Sequence, residues 1–413
     1  MGDPYILMLI ALAILATVDL VVGVSNDAVN FLNSAIGSKA IAIRNIMIIA
    51  SIGVFFGAIT SSGMMEVARK GIFNPGMFMF QDIMFIFMAV MITDILLLDV
   101  FNTLGMPTST TVSIVFELLG AAVAISLIKI SQNDAESFSA IWNYINYEKA
   151  SLIIFGILLS VVVAFSVGAI VQFVSRLIYS FNFEKRPSYI NALFGGFAIT
   201  AITYFIIIKG MKGTPYYKDV KFLIEDNTLS IIAGSFLLWT IISQVFIKIL
   251  KLNVLKLIIG IGTFSLAMAF SGNDLVNFIG VPIAAWNSYE AWSISGVEAN
   301  AFSMEILAKK VPSNVWLLLI AGGIMVVTLW TSSKARNVIK TGIDLSRQGE
   351  GHEKFQPNPL SRLVVRASMG INAGLTYIFP AKTIAFVNSK FQKPVIELPK
   401  DKTYELPAFD MVR

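Results

Sequence analysis

The chain is divided into stretches of apolar residues long enough to cross a lipid bilayer, and that feature removes most folds from consideration. Tyr5 to Val24 carries Asp19 as its single charge. Further apolar runs occupy Ile46–Thr60, Ile83–Leu98, Val112–Ile128, Ser151–Phe173, Asn191–Ile208, Leu229–Ile247, Leu257–Phe270 and Val315–Trp330. A helix needs about 20 residues to cross a hydrocarbon core. Inside lipid each backbone N–H and C=O must be satisfied within the protein, which turns runs of this length into helices. The fold expected is all-α and polytopic. With 56% hydrophobic and 14% charged residues, the composition of the 413-residue chain agrees.

Two short polar segments stand out against this background. Ser25-Asn26-Asp27-Ala28-Val29-Asn30-Phe31 follows the first run, and Gly272-Asn273-Asp274-Leu275-Val276-Asn277-Phe278 follows a later one. Both read N-D-x-V-N-F. A carboxylate and two carboxamides at membrane depth are costly, so such groups face a bundle interior or a wet cavity. Each motif is expected to interrupt its helix, and the two copies to form one site by internal duplication.

The positions of Lys and Arg give an orientation. With Lys39/Arg44, Arg176–Arg186, Lys248–Lys256 and Lys334–Lys340 placed in the cytoplasm, the positive-inside rule puts the N-terminus outside and residues 332–413 inside, after about nine crossings. The first motif helix then runs inward and the second outward, which is the inverted-topology repeat of many secondary transporters. Lys209, Lys212, Lys218 and Lys221 fall on the outer side against the rule. The chain divides into a first membrane repeat (1–130), connecting transmembrane helices (131–250), a second and incomplete membrane repeat (251–331) and a polar cytoplasmic segment (332–413). Met1-Gly2-Asp3-Pro4 has neither a basic region nor a cleavage site, so the first run is a crossing and not a signal peptide.

Several chemistries are excluded. There is no Cys, hence no disulfide, thiolate metal site or Cys nucleophile. The single histidine, His352, lies in a polar stretch, which removes imidazole relays. The net charge of +5 sits in loops and suits anionic lipid better than nucleic acid. No nucleophile–base pair or water-activating metal motif marks an enzyme, and no resident cofactor is expected. An ion channel would carry a polar stripe along whole helices, whereas polarity here is local and paired.

A third polar element is Leu104-Gly105-Met106-Pro107-Thr108-Ser109-Thr110-Thr111, where Gly and Pro break the helix. It reads as the tip of a re-entrant or hairpin segment. Helix starts present free N–H groups that suit an anion, and Ser109, Thr110 and Thr111 add hydroxyls. Asn26, Asp27, Asn30 and their second-copy counterparts offer oxygens for a hard cation such as Na⁺. A single S-T-T is ordinarily a helix cap; beside a duplicated N-D motif it joins a site for a small tetrahedral oxyanion with counter-cations. Asp94, Asp99 and Asn102 precede the tip and are further candidates to line the site, as is Asp19.

The paired N-D-x-V-N motifs, Gly280-x-Pro282 after the second, Gly105-x-Pro107-x-Ser109-Thr110-Thr111, and Thr341-Gly342-Ile343 after the last crossing resemble the inorganic phosphate transporter (PiT) family, over nearly all of residues 5–345. The resemblance implies secondary active transport of inorganic phosphate coupled to Na⁺ by alternating access, in a bacterial inner membrane, with Na⁺ as co-transported ion. A proton-coupled phosphate or sulfate permease is the alternative within this class, and a homodimer is compatible with it. It further implies that Ser109, Thr110, Thr111, Asn26 and Asn273 hold phosphate, and that Asp27, Asn30, Asp274 and Asn277 serve Na⁺. Two departures are visible. Some relatives carry Glu near Val54, and the family has a second P-x-S-T-T segment in its second half with no counterpart here, so the chain resembles the front portion of a longer member.

Overall fold

The computed structural model describes residues 3–61, 71–179, 186–212, 217–308, 315–346 and 355–392. The loop residues Glu66, Arg69 and Lys70, and with them Lys185 and His352, lie outside the described residues. The helices are α1 (Pro4–Gly37), α2 (Ile43–Thr60), α3 (Phe80–Leu104), α4 (Thr110–Gln132), a single turn α5 (Ile141–Tyr144), α6 (Tyr147–Tyr179), α7 (Ser188–Lys212) and α8 (Tyr217–Asp226). They continue with α9 (Thr228–Lys248), α10 (Val254–Ser295), α11 (Val315–Thr331), α12 (Ser333–Ser346), α13 (Pro359–Ile378) and α14 (Ala381–Phe391). Among the described residues, eight helices are long and apolar enough to cross a membrane, or nine with α11 and α12 counted as one bent span. The chain is a multi-pass membrane protein.

Two helices organise the rest. α1 and α10 pack against each other in opposite directions. The Tyr289 hydroxyl donates to Asp3 at 3.1 Å, and Tyr5 lies edge-on to Trp292. A Cβ on Gly23 would strike the Phe278 ring. Contacts therefore descend along α10 as they climb along α1.

The paired motifs do not interrupt these helices. α1 runs unbroken through Asn26–Phe31, and α10 through Asn273–Phe278 and on past Pro282. Trp286–Ser295 forms the end of this same helix. The motifs are polar but contain no helix breaker, and lost solvation is replaced by helix-to-helix hydrogen bonds instead of unwinding. The breaks fall elsewhere. One lies between α3 and α4, where Gly105 takes a left-handed conformation (φ 62°) and caps α3. The other lies at Ser332, where α11 and α12 meet with a bend of 68°. Both breaks reach α1 beside its motif.

α2 fills the other flank of α10. A Cβ on Gly57 would strike the Met268 carbonyl oxygen, and one on Gly53 would come 2.6 Å from that of Phe264. Lipid tails provide no hydrophobic drive for helix pairing, so close packing of small residues does that work. The Ser271 hydroxyl donates to the Val54 carbonyl across this seam at 2.7 Å. α12, read from sequence as part of a polar segment, lies along α1, with Gly342 against Val29 and Asn33. α6, by contrast, is almost wholly exposed along its apolar length. The short apolar patch at Ile371–Phe379 belongs mostly to α13, a 20-residue amphipathic helix with an exposed surface.

Candidate functional site

The site lies where α1, α10 and the α3–α4 turn meet. α3 and α4 form an antiparallel hairpin, tied at its open end by Lys129 to Asp82 at 2.6 Å. Its closed end presses on the α1 motif. Asn26, fully enclosed, holds this tip with both ends of its amide. Its Nδ2 donates to Asn102 Oδ1 at 2.8 Å and to the Met106 carbonyl at 3.1 Å, and its Oδ1 accepts from the Thr108 N–H at 2.8 Å. Asn102 Nδ2 in turn donates to the Val22 carbonyl at 2.7 Å. These contacts fix the start of α4 against the middle of the bundle.

Asp27 and Asp274 approach from the two antiparallel helices, each 4% exposed, and are close enough for their carboxyl groups to interact. The Thr110 hydroxyl donates to Asp27 Oδ2 at 3.1 Å. From α10, Asn277 Nδ2 donates to Thr111 Oγ1 at 3.1 Å and reaches Thr110 Oγ1 at 3.5 Å. Asn273 Nδ2 donates to Thr111 Oγ1 at 3.3 Å. Ser109 caps α4, accepting from the Val112 N–H at 3.3 Å, and is exposed. Two carboxylates, two threonine hydroxyls and a carboxamide thus converge with the first-turn N–H groups of α4. Oxygens of this kind suit a hard cation, and the helix start suits an anion.

The structure thus brings together Asp27, Asp274, Asn277, Thr110, Thr111 and, at the rim, Asn273 and Ser109. Asn26 is adjacent, but its amide is engaged with the hairpin tip. Asn30 is exposed, one turn beyond Asp27. Asn102 is buried in the clamp, while Asp99 pairs with Lys334 of α12. Asp19 and Asp94 lie together, with Asp94 near enough to Asp27 for the two charges to interact. Sequence reasoning overlooked Ser25 and Ser332, whose hydroxyls meet at 2.7 Å and join the α11–α12 bend to α1. It also overlooked Ser113 and Glu117, which bond to each other at 2.7 Å. A lone Ser or Glu within an apolar run gives no pattern by which to find it.

A model of the phosphate transporter family matches residues 23–343, a span that includes both motifs, the α3–α4 turn and most of α12. Putative phosphate permeases of Pyrococcus furiosus and Pyrococcus horikoshii are each 24% identical over 307 residues, covering 72% of this chain and 67% and 68% of theirs. A probable low-affinity inorganic phosphate transporter of Bacillus subtilis is 26% identical over 154 residues, 37% of this chain and 41% of that protein. A solved structure described as the sodium-dependent phosphate transporter shares the fold, with a TM-score of 0.57 at 20% identity over 82% of this chain and 78% of that one. The family match covers more than half of the chain and falls on the elements that build the site, and the chain belongs to the phosphate transporter family.

Proposed function

We propose that this phosphate transporter moves inorganic phosphate together with Na⁺ by alternating access. The supporting observation is the pairing of Asp27 with Asp274 across antiparallel helices beside the start of α4. Two carboxylates facing each other in a membrane interior repel unless a cation or a proton lies between them. Na⁺ held by Asp27, Asp274, Asn277 and the Thr110 and Thr111 hydroxyls would offset that charge. It would also offset the charge of a phosphate bound by Ser109, Thr110 and Thr111 with Asn273 at the rim. Asn26 serves phosphate in this reading by holding the hairpin tip, and Asn30 would join the Na⁺ shell only if α1 turns.

Residues 1–130 and 251–331 act as two repeats of opposite orientation around this site. The antiparallel course of α1 and α10 supports that arrangement. The N-terminus lies outside, and the chain after α12 lies in the cytoplasm of a bacterial inner membrane. The solved relative is described as sodium-dependent, which favours Na⁺ over a proton as the coupling ion.

Uptake of radiolabelled phosphate into proteoliposomes tests the reading. An inward Na⁺ gradient should accelerate uptake, and replacing Na⁺ by choline should abolish the acceleration. Uptake in choline driven by a pH gradient would transfer the coupling to protons, and uptake indifferent to both gradients would defeat symport.

A further inference from the structure

A second group of ionisable side chains lies within the same hairpin and bundle, and the phosphate site does not use it. Asp19 is on α1, about two turns before Asp27. Asp94 is on α3. Ser113 and Glu117 are on α4, following Thr110 along one face of that helix at spacings of three and four. Asp19 and Asp94 are both 0% exposed.

Hydrogens do not balance in this cluster if all three acids are ionised. Ser113 Oγ lies 2.8 Å from Asp94 Oδ1 and 2.7 Å from Glu117 Oε1. A serine hydroxyl owns one hydrogen and can donate to one of these oxygens only. The other short contact needs a hydrogen on the carboxyl itself, donated back to Ser113. Asp19 enters from α1 and faces Asp94, yet neither of its oxygens meets a hydrogen-bond donor. Asp94 Oδ2 and Glu117 Oε2 are also buried without a partner. A buried acceptor left this way costs about 1–3 kcal/mol, and more for a charged group.

The charged groups on the surrounding helices do not supply a counter-ion. Asp27 on α1 and Asp274 on α10 are acids. Lys129 on α4 is taken by Asp82 at the far end of the hairpin, and Lys334 on α12 by Asp99. The hydrogen missing from the Asp94–Ser113–Glu117 contacts is what a bound proton supplies.

We propose that Asp19, Asp94 and Glu117, bridged by Ser113, form a proton-binding site in the first bundle, separate from the phosphate site. A groove of about 530 Å³ between α3 and α4 opens onto Ser113 and Glu117; its lining is mostly apolar, with Leu97, Phe101, Val112 and Phe116 beside Thr93, Thr108 and Ser109. A proton arrives there as hydronium, bonds to a carboxylate oxygen and leaves water behind. The groove also touches the hairpin tip, so α4 carries both sites on one rigid element. Loading the cluster therefore changes the charge that moves with Thr110 and Thr111.

Infrared difference spectroscopy of the full chain in lipid, with neither phosphate nor Na⁺ present, tests the assignment independently of the phosphate reading. At neutral pH the protein should show a protonated-carboxyl C=O band that shifts on exchange into D₂O and disappears as pH is raised. Part of that band should be lost in Glu117→Gln and in Asp94→Asn. Undiminished intensity in Glu117→Gln, or absence of the band from the unmodified protein, overturns the proposal. Glu117 is only partly buried, so that variant decides the matter alone if Asp94→Asn fails to fold. Loss of Na⁺-driven uptake with the band intact would count against the phosphate reading and leave this one standing.

Discussion

At the scale of single residues, the site separates groups that hold structure from groups free to hold a ligand. Asn26 belongs to the first kind. Replacing it by Ala leaves the Thr108 N–H, the Met106 carbonyl and Asn102 Oδ1 without their partner. Each unsatisfied group costs about 1–3 kcal/mol, and the hairpin tip would detach from α1. Asn26→Ala should therefore lose phosphate uptake and fall in thermal stability. A second change, Asn102→Ala, should add less to the loss in the double variant than it causes alone, because one network is being removed. Additive stability losses would show that the two amides act separately. Thr110 belongs to the second kind. Its hydroxyl bonds to Asp27 through a single contact at 3.1 Å and starts α4. Thr110→Ala should weaken phosphate binding roughly tenfold, about one charge-assisted hydrogen bond, and change Na⁺ binding less. A larger loss for Na⁺ than for phosphate would place Thr110 in the cation shell.

At the scale of helices, the seam between α2 and α10 shows how apolar segments associate without a hydrophobic drive. Gly53 and Gly57 let the α2 backbone approach that of α10 at Phe264 and Met268, and Ser271 adds a hydroxyl bond to Val54. Gly57→Leu would force α2 off Met268 and carry α10, with Asp274 and Asn277, out of register with the hairpin. The expected result is a protein that still inserts but melts well below the unmodified chain and binds no phosphate. Normal binding in that variant would mean that α10 is positioned without α2. This scale also shows what was legible beforehand. Runs of apolar residues gave the helices, because length and hydropathy decide membrane insertion. The Gly105–Pro107 break was readable because those residues cannot continue a helix. The supposed breaks at Asn26–Asp27 and Asn273–Asp274 were not there, since polarity alone does not unwind a helix whose side chains bond to neighbours. The bend at Ser332 carries neither Gly nor Pro and was invisible to the same reasoning. So was the bond from Ser113 to Asp94, which only the packing of α3 on α4 explains.

At the scale of the whole molecule, α1 and α10 form an antiparallel core with the hairpin on one side and the α11–α12 bend on the other. Apolar surface exposed along α6 faces lipid or a partner. The chain has no cysteine, so single introduced cysteines report sidedness cleanly. The topology expects cysteines at Lys39, after α1, and at Asn133, after α4, to label from opposite faces of the membrane with an impermeant reagent. Labelling of both from one face would undo the proposed course of α3 and α4.

Phosphate and its cation are proposed to share one site between the two motif helices. Mutual dependence of their binding follows from that claim by linkage. Titration calorimetry of phosphate into the detergent-solubilised protein, in Na⁺ and then in choline, measures it directly. Phosphate should bind more tightly in Na⁺, and the difference should vanish in both Asp27→Asn and Asp274→Asn. Equal affinity in the two salts, or a Na⁺ effect that survives in both variants, would contradict the account.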